Sequence, residues 1–154
     1  SYSALTNLVD LSIWHTLVSG PVPPQWSALT GLTSLKLHDN RLTCGAPKAI
    51  SRLTGLRYLD LSWNAESGGA ITREWSQLTR LTYLSLSGCG LRGTLPPQLS
   101  ALSNLKKLYV DNNRRMRGQL PGAWSAMQQL QRLSARNNTG LTGTVVGNAG
   151  VSTR

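Results

Sequence analysis

Two histidines, two cysteines and six carboxylates are all that 154 residues offer for acid–base, nucleophilic or metal chemistry. His15, His38 and Asp39 form the one grouping that can be drawn as a metal site or a proton-transfer pair, since the repeat set out below places them on neighbouring turns. Two imidazoles and one carboxylate are a thin ligand set for a zinc ion. No nucleophile motif accompanies them, and a shallow sheet surface gives no concave pocket. The chain therefore reads as a non-enzyme without catalytic residues, metal or cofactor, and the two histidines as exposed polar side chains.

Residues suited to recognition are better represented. Trp, Tyr and Arg are the types that anchor interfaces, and Trp14, Tyr58, Trp63, Tyr83 and Tyr109 fall at places that the core does not need. Lys36, His38, Asp60, Asp111 and Arg136 are interspersed with them. Sixteen basic side chains against six acidic ones give a formal charge of +10, and residues 102–154 hold eight basic groups and one acidic. Lys106, Lys107, Arg132 and Arg136 come from neighbouring strands there, with Arg114, Arg115 and Arg117 on the adjacent bulge. Such a patch could hold a sulfated glycan or an acidic protein surface, or could simply be a solvated face. Nucleic acid is disfavoured, because no reading motif is present and charge alone gives only salt-sensitive, unspecific binding.

These side chains are positioned by a period that covers nearly the whole chain. Segments opening at Leu5, Leu29, Leu53, Leu78, Leu102 and Met127 repeat every 24 or 25 residues, with apolar residues at the fourth, seventh and ninth places. In the first three repeats these are Leu8, Leu11 and Ile13, then Leu32, Leu35 and Leu37, then Leu56, Leu59 and Leu61. Spacing of two between the seventh and ninth places is that of a strand with one face in a core. A strand this short cannot bury that face alone, so six must stack in register as a parallel sheet. The sixth, eighth, tenth and eleventh places then line the concave face.

The twelfth place holds Asn40, Asn64, Asn113 and Asn138, whose amides can both donate and accept where the chain turns off its strand. Thr16 and Cys89 replace asparagine at this place and are expected to be softer points. Insertions after the asparagine, at residues 64–66, 113–115 and 138–140, form bulges beside the strand ends within reach of a ligand. Returns such as residues 20–26, 93–99 and 118–124 are rich in proline, which suits an outer path of short 3₁₀ or helical turns. Trp26, Trp75 and Trp124 share one place in the return with Ile50 and Leu99, so they read as core anchors.

Cys44 takes a small-residue place in repeat two and Cys89 the asparagine place of repeat four. Two turns at ~4.8 Å each separate them by about 10 Å, beyond the ~7 Å that a disulfide allows between Cα atoms. Two free, largely buried thiols are expected, and a bond between them would contradict the register. Asn137-Asn138-Thr139 is an acceptor sequence for N-glycosylation at Asn137. Repeat six lacks the expected proline, with Val145 and Val146 in its place, so an open core edge at either end needs capping or stacking.

A Gly-x-Leu-Pro return, as at 93–96 and 118–121, resembles the extracellular plant-type class of leucine-rich repeat proteins along residues 5–146. More narrowly, Pro-Pro-Gln-Trp-Ser-Ala-Leu at 23–29 and Pro-Gly-Ala-Trp-Ser-Ala-Met at 121–127 resemble the trypanosomatid (Leishmania promastigote) surface antigens. That resemblance implies an α/β leucine-rich-repeat solenoid, a curved right-handed superhelix with parallel strands on its concave face. It also implies a secreted or lipid-anchored surface protein that contacts host receptors or complement-type proteins. The cysteine-rich caps, Ser/Thr-rich stalk and anchor signal of that family are absent from the sequence.

Residues 1–154 thus read as one domain of six repeats, a piece of a longer extracellular or cell-surface protein, without a signal peptide or a run of ~20 apolar residues to span a membrane. Membrane attachment would need an anchor outside this chain. The expected function is to bind a host protein or an anionic glycan through the concave face and the basic C-terminal repeats. The alternatives are a plant-type receptor or inhibitor ectodomain for a peptide or secreted enzyme, and a structural coat spacer.

Overall fold

The computed structural model describes residues 5–44, 48–65 and 68–143, and the backbone of 150–152. Six strands lie where the leucine period puts them: Asp10–Ser12, Ser34–Lys36, Tyr58–Asp60, Tyr83–Ser85, Lys107–Tyr109 and Arg132–Ser134. All pair in parallel and in chain order, with Leu11, Leu35, Leu59, Leu84, Leu108 and Leu133 in one column. A further strand, Gly150–Ser152, pairs with Arg132–Ser134 at the C-terminal end of the sheet. No leucine pattern announces it, and the expected departure at Val145 and Val146 lies outside the described residues.

The leucine columns of repeats two to five have no solvent exposure at Leu35, Leu59, Leu84 and Leu108. Leu8, Leu11 and Ile13 are only half-buried, because repeat one has no described neighbour on its outer side. Among the described residues the back carries the 3₁₀ turns Pro24–Ala28, Arg73–Gln77, Pro97–Ala101 and Gly122–Ala126, and the α-helical turn Lys48–Ser51. Trp26, Ile50, Trp75, Leu99 and Trp124 point inward from them and are buried, which makes them the core anchors that their shared place implied. The Trp124 indole N–H donates to the Pro96 carbonyl at 3.2 Å, so even its polar tip is partnered by the preceding turn.

The asparagine ladder is built as its chemistry requires. Asn113 accepts from the backbone N–H groups of Cys89 and Leu91 at 3.0 Å and donates to the carbonyls of Leu86 and Val110. Asn64 accepts from the Leu42 N–H and donates to Leu37 and Leu61. At the preceding place every repeat crosses the left-handed region: His15, Asp39, Trp63, Asn112 and Asn137 have φ between 54° and 59°, and Gly88 has 64°. That local twist aims the eleventh side chain out beside the sheet's C-terminal edge.

The cysteines overturn the expectation of free thiols. Cys44 and Cys89 form a disulfide with their Cα atoms 5.7 Å apart, while the strand register around them is intact. The estimate of about 10 Å took the turns as a uniform ladder. Among the described residues, repeat three shows no outer strand of the kind that repeats one and two (Ser19–Gly20 with Arg41–Leu42) and four to six (Arg92–Gly93, Arg115–Gln119, Gly140–Thr142) possess. Where its neighbours insert Leu42 or Leu91, repeat three has no large apolar side chain, and the two sulfurs occupy that level, 3.4 and 3.1 Å from the Leu61 carbonyl oxygen. Where the asparagine is missing at Cys89, a covalent link to Cys44 stands in its place.

Candidate functional site

The concave face carries a continuous aromatic strip. Tyr58 and Tyr83 are register partners on neighbouring strands, and their rings stack with centroids 4.2 Å apart and planes 4° from parallel. Tyr109, two places further along the next strand, meets Tyr83 tilted at 5.6 Å. On the other side the Lys36 ammonium sits 5.8 Å from the centroid of Tyr58 and 3.4 Å from the Asp10 carboxylate. The Ser34 and Ser12 hydroxyls, followed by Lys36, hold the Asp10 carboxyl below its usual range. Burial within the stack, with the nearby Asp60 carboxylate, pushes both the Tyr58 and Tyr83 phenols up.

Charge changes along the strip. Asp10, Asp39 and Asp60 lie in repeats one to three; Lys107, Arg132 and Arg136 lie in repeats five and six. Asp111 is the acidic exception, and its carboxylate is occupied by the Ser134 hydroxyl and the Arg136 backbone N–H, both at 2.6 Å. Asp60 is buried and accepts from the Ser62 hydroxyl and N–H at 2.6 and 3.0 Å, so it shapes the face more than it offers a free carboxylate.

The histidines do not form one cluster. His15 Nδ1 pairs with the Asp39 carboxylate, whereas His38 stacks on Trp14 at 5.4 Å and keeps 3.8 Å from Asp60. Among the described residues no three His, Cys, Asp or Glu side chains gather as a metal site.

The basic residues separate into four places. Lys107 and Arg132 are register partners on the sheet. Lys106 precedes its strand, and a strand rise of ~3.3 Å per residue puts it roughly 10 Å from the strand's far end at Tyr109. Arg114, Arg115 and Arg117 lie beyond that far end and join Arg92, which the sequence did not single out, in two adjoining grooves. Trp63 also lines the larger groove. Arg136 leaves the sheet near Asn112, and Asn137 beside it is exposed, with its amide on the Asn112 side chain at 2.8 Å. The signal for Arg92 was its register: its outer strand pairs it with Arg115.

Leucine-rich repeat patterns match residues 6–65 and 80–102. No curated protein sequence matches the chain. Among solved structures, the leucine-rich-repeat ectodomain of the receptor kinase SOBIR1 from Arabidopsis thaliana is 31% identical with a TM-score of 0.76, over 85% of this chain and 71% of that one. The BIR3–SERK2 complex from the same plant supplies a chain 26% identical, TM-score 0.71, covering 92% of this chain and 73% of its own. A plant ice-binding protein is 31% identical with a TM-score of 0.67, over 82% and 43%. Against longer receptor ectodomains the chain spans only 19% to 28% of their length. No helix among the described residues is long and apolar enough to cross a membrane.

Proposed function

The chain belongs to the leucine-rich-repeat family, and we propose that it is an extracellular recognition module that holds a protein or peptide segment across its concave sheet. One observation carries this reading: the Tyr58–Tyr83–Tyr109 strip stands on the outward face, where the fold requires no aromatic residue. Stacked rings are rigid and offer area at little entropic cost, as interface anchors do. Lys107 and Arg132, register partners at the C-terminal end of the strip, offer an acidic residue of a bound segment a place to sit. The Cys44–Cys89 disulfide supports an oxidising, extracellular setting, as does the similarity to the SOBIR1 ectodomain.

The Trp-Ser-Ala returns at 26–28 and 124–126 favour a surface protein facing a host receptor or complement-type protein. A segment of a plant-type receptor ectodomain is the second reading, favoured by the structural match to SOBIR1. Selection from a random peptide library displayed on phage tests the common core of both. Enrichment on the native protein that vanishes on a Tyr58→Ser/Tyr83→Ser variant supports the strip. Equal enrichment on both would reject it.

A further inference from the structure

Trp63 lies at the sheet's edge against a glycine, Gly88, whose missing side chain leaves room for the indole. Its backbone is left-handed, with φ of 58°, and its N–H donates to the Ser87 carbonyl at 2.8 Å. The indole lies across Gly88: a Cβ there would fall 2.6 Å from Cε3 and 3.0 Å from Cδ2 and Cζ3, in the middle of the ring. One ring face is therefore seated on backbone, while the residue remains 56% exposed. An exposed Trp is costly to keep in water and does nothing for the core.

Arg92, Arg114 and Arg115 line the same groove as Trp63. Arg92 and Arg115 are direct partners on the outer strands, an arrangement that disfavours like charges. Met116 turns inward, so Arg115 and Arg117 emerge on the same side. Among the described residues no carboxylate lies within ion-pair distance of Arg92, Arg114, Arg115 or Arg117; Glu66 is outside them. The groove between Trp63 and Arg92, Arg114 and Arg115 has a volume of about 610 Å³, within the range of small-molecule sites. A second of about 470 Å³ continues it along Arg117 to Thr139.

We propose that this groove binds an anionic saccharide, with one sugar ring lying on the free face of Trp63 and its sulfate or carboxylate groups on the arginines. The site rests on an edge separate from the tyrosine strip, so it stands or falls independently of the peptide reading. A flat indole face suits the C–H face of a pyranose, and guanidinium forks suit sulfate and carboxylate. The strand spacing of ~4.8 Å sets Arg92 and Arg115 about one sugar unit apart. A peptide adding as a strand finds no free edge between them, since their backbones are already paired with each other.

Titration with a heparin tetrasaccharide, its fully desulfated form and an oligothymidine of matched charge, at about 0.15 M salt, tests the site. Trp63→Ala and Arg92→Ser/Arg115→Ser should each weaken the sulfated tetrasaccharide by about tenfold or more, and Lys107→Ser/Arg132→Ser by less than about twofold. Gly88→Ala, which drives the ring from its seat, should mimic Trp63→Ala while circular dichroism stays native. The proposal is overturned if Trp63→Ala has no effect, if both paired-charge variants lose affinity alike, or if the oligothymidine binds as tightly as the tetrasaccharide.

Discussion

Tyr58 and Tyr83 stack almost parallel, centroid to centroid at 4.2 Å, although 25 residues separate them in the chain. Their contact exists because the repeat brings the sixth place of each turn into register, and each ring shields part of its neighbour from water.

Shielding raises the cost of ionising either phenol, and this gives a pH signature. Both groups have a pKa raised in the folded state, so the folded protein keeps these protons longer than the unfolded chain. The stability involved is fully present below the ordinary tyrosine value of about 10 and is lost as pH rises beyond it. Phenolate absorbance should show two tyrosines ionising late. The Tyr58→Phe/Tyr83→Phe variant should lose its melting temperature less steeply across that range than the native protein.

Asn113 satisfies four buried backbone groups at once. Asn113→Ala orphans them, and urea unfolding should register a loss of about 3 kcal/mol or more. Thr16→Ala, at an exposed first turn with one side-chain bond to Asn40, should cost less than about 1 kcal/mol.

The Cys44–Cys89 disulfide closes a loop over a sequence separation of 45 residues, for which chain entropy gives about 4 kcal/mol. Reductant or Cys44→Ser/Cys89→Ser should lower the urea midpoint accordingly. Thiol titration of the denatured, unreduced protein should find no free cysteine.

The fold was legible because each leucine column is both a periodic signal and a buried stack: Leu35, Leu59, Leu84 and Leu108 announce the sheet that they fill. Trp75 and Trp124 were readable for the same reason, since one shared place in the return predicts one shared depth. The disulfide was not legible. Spacing arguments assume equal turns, and the approach of Cys44 to Cys89 across repeat three is invisible in a count of residues. The groove was half legible. Arg114, Arg115 and Arg117 stood out as a run, but their meeting with Trp63 depends on left-handed backbone at the eleventh place, and Arg92 joins only through pairing across repeats. The last strand, Gly150–Ser152, carries one large apolar residue, Val151, too little pattern to declare it.

Affinity of a library-selected peptide tests recognition across the tyrosine strip most directly. The Kd should rise by about 30-fold for Tyr58→Ser/Tyr83→Ser, the scale of interface anchors, and stay unchanged for Arg73→Ser, which alters an exposed side chain of a convex return. An unchanged Kd in the tyrosine variant, with loss in the convex one, would contradict it.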